Sequence, residues 1–582
     1  MKLQGQGVSA GVAVGPVLVW HSSALVVPYR ALVQEQIEAE FARLEQALAT
    51  TRAELQSLAS SLRRDASAEV AAIFEAHIEM LDDPEILDET STQIRSQLIN
   101  AEHALADVMG RYAATLRSVG DEYLGQRATD LEDVARRVLR HLQGGAEELQ
   151  LDTPVIVVAD DLAPSDTAHF PPGMLLGFAT ATGGATSHTA ILARALGIPA
   201  IVGVGDAVLQ AVDGAIVTLD GKQGILNLAP TADDIARFQQ LHDEQQQEQA
   251  SLRRDAQVLA MTADGERIEV LGNITVPHSC EEALSWGAEG VGLFRTEFLF
   301  LDRTEPPSEA EQYEAYREVL RAMGGRRCLI RTVDIGGDKE VRYLSIEKEA
   351  NPFLGWRGTR LMWGMEPLLR TQLRALLRAS VHGSVGIMFP MIAGVSDWRA
   401  ARQLLDLVRN ELKAEGEPVG EVAVGVMIEV PSAALCADRL AEECDFFSIG
   451  TNDLTQYTLA CDRTNQRVAH LLDSFHPAVL DLIGRTIEAG QRAGIHVGMC
   501  GEMAADLDAT PILLGLGLPE FSASPAAIPA LKRRISQLTV GQTRQIAADV
   551  CNLATAEEVR AYVAQALQPH STEGKVKEQH VL

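Results

Sequence analysis

Gly183-Gly184-Ala185-Thr186-Ser187-His188-Thr189-Ala190 sets one histidine after a double-glycine turn and before an apolar segment. The glycines permit a tight turn, Thr186 or Ser187 can cap, and Ala190 to Leu196 reads as a short helix stopped by Gly197 and Pro199. A helix N-terminus presents free N–H groups and the positive end of the dipole, so it attracts anions and disfavours an imidazolium. His188 is therefore expected to stay neutral and nucleophilic near neutral pH, with an anion site ready for an arriving phosphoryl group. Read alone, it serves equally as a capping histidine without chemistry. Its role depends on the rest of the chain.

A second set of reactive side chains lies far downstream. Arg295, Arg331, Arg357 and Arg463 supply four guanidinium groups, whose paired donors match phosphate and carboxylate oxygens. Glu429 and Asp453 are of the type that ligates Mg2+, an ion that takes one or two carboxylates and completes its octahedron with water and substrate phosphate. Cys500, in Gly498-Met499-Cys500-Gly501-Glu502, offers a thiol able to protonate a carbanionic intermediate. Taken singly, the arginines read as surface ion pairs and Cys500 as a small core thiol.

The elements that carry these residues decide between the readings. From about Met261 to Leu567, eight strand-like runs alternate with helical segments such as Leu368 to Ala379, Trp398 to Leu412 and Ala478 to Ala489. The runs are Ile268 to Asn273, Gly290 to Arg295, Cys328 to Asp334, Val385 to Met391, Val422 to Glu429, Phe446 to Asn452, His496 to Gly501 and Glu520 to Ser524. Eight strands interleaved with helices over this length predict a (β/α)8 TIM barrel, whose active sites form at the C-terminal ends of the strands. Asn273, Arg295, Arg331, Glu429, Asn452, Asp453 and Cys500 all fall at those ends and are expected to share one mouth.

The N-terminal part divides differently. Residues 1–20 and 145–230 read as one α/β domain bearing His188, and residues 30–144, with Ile37, Phe41, Leu44 and Leu48 at helical spacing, as a helical bundle inserted into it. Within that bundle Phe74 to Glu85 mixes apolar residues with acids that would suit a basic partner and would equally form the solvated face of an ordinary amphipathic helix. Residues 231–260, with a glutamine-rich run, are expected to form a linker helix, 261–570 the barrel and 571–582 a disordered tail.

Composition limits the functional classes. A net charge of -30 argues against a nucleic-acid binder, because phosphate backbones require a basic face. Seven cysteines with no CxxC spacing argue against a disulfide framework or zinc site. No apolar run reaches bilayer length and the N-terminus lacks a signal-peptide core, so a cytoplasmic protein without membrane insertion is expected.

Taken as a set, Gly183 to His188, Val291 to Glu297, Arg331 to Lys339, Asn351 to Arg357, Ser448 to Tyr457 and Gly498 to Glu502 closely resemble enzyme I of the bacterial phosphoenolpyruvate:sugar phosphotransferase system, over about residues 5 to 567. The resemblance implies autophosphorylation of His188 by phosphoenolpyruvate with Mg2+, release of pyruvate, and onward transfer to the carrier protein HPr. It makes Thr167 an orienter of His188 and assigns substrate binding to Arg295, Arg331, Arg357, Asn452, Asp453 and Arg463. It gives the metal to Glu429 and Asp453 and protonation of the enolate to Cys500. It further implies HPr docking on the helical insertion, homodimerisation through the barrel, and a swivel of the α/β domain about the linker. Ala10 stands where the family often has proline, and Thr464 where Asp-Arg-Gly-Asn is usual, a change that would shift the backbone beside Arg463. Pyruvate phosphate dikinase and phosphoenolpyruvate synthase share this logic but need a nucleotide domain for which this chain has no room. A non-catalytic phosphoenolpyruvate-binding regulator would not need the full residue set.

Overall fold

The computed structural model describes residues 1–20, 27–65, 68–118, 122–144, 151, 153–162, 170, 173–184, 189–190, 193–194, 197–301, 303, 305–337, 341, 343–344, 349–465 and 467–568. His188, Thr167 and the tail at 571–582 lie outside the described residues. The chain forms two compact units, Met1–Glu248 and Gln249–Leu582.

In the first unit β1 (Lys2–Gln4), β2 (Gln6–Ser9) and β3 (Val12–Trp20) join β4 (Val155–Ala159), β5 (Leu175–Thr180), β6 (Ala200–Val202), β7 (Ile216–Asp220) and β8 (Ile225–Asn227) in one eight-stranded sheet. Its order is β1-β8-β7-β3-β4-β5-β6-β2, with β3 to β6 parallel. Val155-Ile156-Val157-Val158 is apolar at every position because both faces of this central strand are covered, and all four residues are buried. The histidine-bearing segment leaves the end of β5 and returns at β6, where Ala190 and Ala193 pack wholly inside the core with Phe178 and Val202.

Between β3 and β4 the chain leaves the sheet to build, among the described residues, five α-helices, α1 (Ile37–Asp65), α2 (Ala68–Leu81), α3 (Pro84–Gln97), α4 (Ala101–Ser118) and α5 (Glu122–Leu142). Leu44, Leu55, Phe74, Leu105, Val108, Val134 and Val138 form their shared core. The Asp82-Asp83-Pro84 stop has a plain cause: the Asp83 carboxylate accepts from the N–H groups of Glu85 and Ile86, and Pro84 opens α3 where no amide donor is required. Phe74 and Leu81 are buried, while Glu79, Asp82 and Glu85 are exposed, so this segment has an inner apolar side and an outer acidic one.

The polar helix α6 (Ala232–Asp255) leads out of the first unit. Beyond it the chain is fastened to the second unit by Lys532, whose ammonium donates to the carbonyls of Ala256 and Val258 and pairs with Glu289 at 3.2 Å.

The second unit is a closed barrel of eight parallel strands: β9 (Glu269–Ile274), β10 (Val291–Phe294), β11 (Cys328–Arg331), β12 (Val385–Phe389), β13 (Val422–Ile428), β14 (Phe446–Ile449), β15 (His496–Met499) and β16 (Glu520–Ala523). All eight expected strands are present, each ending short of its expected limit except β9. Asn452 and Asp453 do not end a strand: β14 stops at Ile449, and both lie in the first turn of the helix Thr451–Leu459. The pairing of adjacent strands runs out at the rim, and there the polar residues belong to turns and helix starts. Leu293, Leu329, Met388, Met427, Phe446 and Cys500 fill the interior. No helix among the described residues is long and apolar enough to cross a membrane.

Candidate active site

Arg331 is the last residue of β11, and its guanidinium lies buried in the barrel mouth. It donates to Glu297 Oε1 at 2.7 Å and pairs with Asp334 Oδ2 at 3.1 Å. Its Nε is shielded from solvent without a hydrogen-bond partner among the described residues. A buried cationic donor with no acceptor is the chemistry of an anion site.

Arg357 reaches the same mouth from the segment after β11, and it is 2% exposed. Its Nε and Nη2 donate to Asp334 at 3.1 and 2.9 Å, and its Nη1 and Nη2 to Asp453 at 3.1 and 3.3 Å. The remaining Nη1 donor goes to the Tyr457 hydroxyl at 3.0 Å, which itself donates to the Phe353 carbonyl at 2.6 Å. Gly358, at φ +57°, allows this approach, since a Cβ there would press on Asp334 Oδ1 and Met391 at 3.1 and 3.0 Å.

Glu429 follows β13 directly and is 1% exposed. Its Oε1 accepts from the Met391 N–H at 2.6 Å, which is aimed inward because Met391 adopts φ +55°. That conformation costs a side-chain-bearing residue about 1–2 kcal/mol, a local strain at the rim of a site. Arg463 stands 3.8 Å from Asp453 Oδ1 and lies over the Phe353 ring at 5.3 Å. Asn452 is locked to Glu502 by a reciprocal pair of hydrogen bonds, 2.8 Å to the carboxylate and 3.0 Å from its backbone N–H. Arg295 follows β10 and is exposed.

Cys500 sits behind these charges, 2% exposed, with its carbonyl held by Asn273 at 3.1 Å. The next residue has to be glycine, because a Cβ on Gly501 would lie 2.0 Å from Thr451 Oγ1. Burial pushes the Cys500 thiol above its usual range, so it holds its proton at neutral pH. A protonated thiol is a donor, not a nucleophile.

Thr464 sits in a hydrogen-bonded turn beside Arg463. Its hydroxyl and N–H both donate to Asp462 Oδ1, at 2.6 and 2.8 Å, and the Arg463 N–H donates to Gln456 at 2.9 Å, so the turn closes on its own side chains without a left-handed residue at 464.

Arg331, Arg357, Glu429, Asp453 and Arg463 are thus brought together, with Asn452 in the first turn of the helix Thr451–Leu459 and Cys500 just after β15. Glu297, Asp334, Tyr457 and Met391 are further members that the sequence reading did not assign. The available signal was chemical: an arginine to be buried needs a carboxylate, and Glu297 and Asp334 follow Arg295 and Arg331 within three residues.

The charges test whether a divalent cation fits. Glu297, Asp334, Glu429 and Asp453 are four buried carboxyl groups facing two buried guanidiniums, Arg331 and Arg357. The carboxyl of Glu429 is pushed up to about 8 by burial and by Asp453 and Asp334. An excess of buried negative charge built from hard oxygen donors suits Mg2+. One consequence is measurable. Without the cation, folded Glu429 holds a proton more tightly than the unfolded chain, so its stabilising contribution is complete below about pH 4.5 and is lost as pH rises through about 8. Thermal unfolding in chelator is expected to weaken across that window by up to about 1.4 kcal/mol per pH unit, and Glu429→Gln or saturating Mg2+ should flatten the slope. A slope unchanged in Glu429→Gln would refute the assignment.

Comparison with known proteins bears on what this mouth does. The chain matches the family models of PEP-utilising enzymes in three parts: the N-terminal domain at residues 4–127, the mobile domain at 151–224 and the PEP-binding domain at 249–540. It is 43% identical over 564 residues to a phosphoenolpyruvate-protein phosphotransferase of Bacillus sp. (strain S), covering 96% of this chain and 97% of the relative. The chain belongs to the phosphoenolpyruvate-protein phosphotransferase family. Relatives of the same name from Geobacillus stearothermophilus and Staphylococcus aureus are 43% and 40% identical, each over 96% of this chain and at least 97% of their own. The family's PEP-binding part coincides with the barrel described above, and its mobile part with the sheet segment that carries His188.

Proposed function

We propose that the chain is a phosphoenolpyruvate-protein phosphotransferase that phosphorylates its own His188 and passes the phosphoryl group to the carrier protein HPr. The observation that carries the reading is the barrel mouth, where buried arginines, an excess of buried carboxylates and a protonated thiol converge on one volume.

Arg331, through its unpartnered Nε, and the more exposed Arg295 and Arg463 bind and orient the phosphate and carboxylate oxygens of phosphoenolpyruvate, with Asn452 beside them. Glu429 and Asp453 would hold Mg2+, which, when bound, supplies positive charge against the phosphate oxygens. The neutral His188 imidazole, oriented by Thr167, attacks phosphorus in line; the N–P bond forms as the bridging P–O bond breaks, and its electron pair leaves with the enolate of pyruvate. Cys500 then gives its thiol proton to the enolate methylene carbon and is reprotonated from solvent. Placing this proton source in the dry barrel interior keeps the enolate from stray solvent protons until pyruvate forms.

On the same reading the exposed acids Glu79, Asp82 and Glu85 help the helical insertion dock a basic carrier, and the protein acts in the cytoplasm as a homodimer through its barrel, driving sugar uptake. His188 meets a phosphoryl donor and then a phosphoryl acceptor, and must move between them.

The test is incubation of the full chain with phosphoenolpyruvate and Mg2+, followed by intact mass and acid treatment. The expected result is one phosphate that survives base and is lost in acid, with pyruvate formed in equal amount. Bound phosphoenolpyruvate without any mass gain would overturn the proposal.

A further inference from the structure

Arg357 differs from Arg331 in one respect that bears on how the site loads. A guanidinium has five N–H donors, and here each has an acceptor inside the protein: Nε on Asp334, Nη2 on Asp334 and Asp453, Nη1 on Asp453 and Tyr457, at 2.9 to 3.3 Å. Nothing is left over for a substrate oxygen. Two of the five bonds end on Asp453, the residue that with Glu429 is assigned to the cation. Both Asp453 oxygens turn a lone pair to Arg357, so a metal ion that approaches this carboxylate from the same side competes with that pair.

We propose that Arg357 is a tethered substitute for the divalent cation, which gives up Asp453 when the cation arrives and turns the freed donors to the phosphate of phosphoenolpyruvate. The inference rests on the functional reading above and deepens it. Without the cation, Arg357 prevents two buried carboxylates from facing each other uncompensated. With the cation on Asp453 and Glu429, the two Nη hydrogens that pointed at Asp453 become available, while the Asp334 and Tyr457 bonds keep the guanidinium plane fixed. Asp334 is 2% exposed and Tyr457 is pinned to Phe353, so the group has a rigid support on which to exchange only those two partners. Cation and phosphoenolpyruvate therefore bind with positive coupling. By linkage each tightens the other by the same factor, within the usual range of about 5- to 150-fold.

The test measures binding, not turnover. Mn2+ is titrated by electron paramagnetic resonance into the full chain carrying His188→Ala, which lets phosphoenolpyruvate bind without being consumed, with and without that ligand. Arg357→Met and Arg357→Lys are compared in the same background, with Asp453→Asn confirming the site by loss of Mn2+. In the Arg357-intact protein, Mn2+ alone is expected to bind weakly, and phosphoenolpyruvate to tighten it about tenfold or more. In Arg357→Met, Mn2+ alone should bind at least about tenfold tighter, because its rival is gone, and the effect of phosphoenolpyruvate should fall to about threefold or less. Arg357→Lys, which keeps a charge but cannot fork both carboxylates, should lie between, and it decides the question if the methionine variant does not fold. Mn2+ binding that is no tighter in either variant, or an undiminished response to phosphoenolpyruvate, overturns the inference while leaving the functional reading in place. If the Arg357-intact protein binds neither Mn2+ nor phosphoenolpyruvate, both readings fail together.

Discussion

Replacement of His188 by alanine is expected to abolish the acid-labile phosphate while leaving phosphoenolpyruvate bound to the barrel. The described polar side chains at the barrel mouth are guanidiniums that stay charged, carboxyls, an amide, hydroxyls and a thiol that burial keeps protonated, and none of them offers a neutral nitrogen nucleophile near neutral pH. On the proposed function the nucleophile is His188, which falls between β5 and β6 in the sequence. Loss of a nucleophile removes the step and does not merely slow it, so pyruvate release should fall by at least about 10⁴-fold. Binding isotherms for phosphoenolpyruvate should be unchanged, because Arg331 and its partners all lie in Gln249–Leu582. A His188→Ala protein that still gained an acid-labile phosphate would place the relay on another residue.

The second large effect is expected at Arg331. The residue is 6% exposed and its guanidinium joins Glu297 and Asp334, so Arg331→Met takes the Arg331 charge from buried Glu297 and leaves Asp334 with Arg357 alone. Breaking such a pair from one side costs about 3–5 kcal/mol, visible as a drop in the thermal midpoint. The reaction loses a comparable amount. A preorganised donor that meets developing charge in a dry site accounts for about 10²–10³ in rate, and Arg331 supplies both charge and a fixed fork. Arg331→Lys separates the two contributions: it should recover much of the stability but little of the rate, since an ammonium cannot bridge Glu297 and Asp334 while also donating to the substrate. Equal recovery of both would mean that only the charge at this position matters.

The barrel was legible in the sequence because eight apolar runs at regular spacing leave few alternatives, and polar residues at their ends gave the candidate mouth. Within the barrel the strand limits differ at those ends. Phe446 to Asn452 reads as one strand, but the ladder stops at Ile449 and the next residues start a helix, which points Asp453 at Arg357. Periodicity carries no signal for such a change of direction. The supporting acids were hidden for a related reason. Glu297 and Asp334 look like ordinary charged loop residues until folding buries them against arginines. The positive φ of Met391 left no trace at all, because an inward-turned N–H comes from backbone geometry and not from residue type.

The parallel pairing of β3 with β4, in register from Val17 opposite Ile156 to Trp20 opposite Ala159, spans the whole helical insertion. Two neighbouring parallel strands need a crossover of only about a dozen residues, so the sheet has no topological need for the five helices between them. The insertion is therefore a detachable cassette, with entry and exit on adjacent strands. On the proposed function, exchanging it for another binding module would readdress the phosphoryl group to a new recipient while leaving its source untouched, and specificity could then evolve without passing through the proposed catalytic residues.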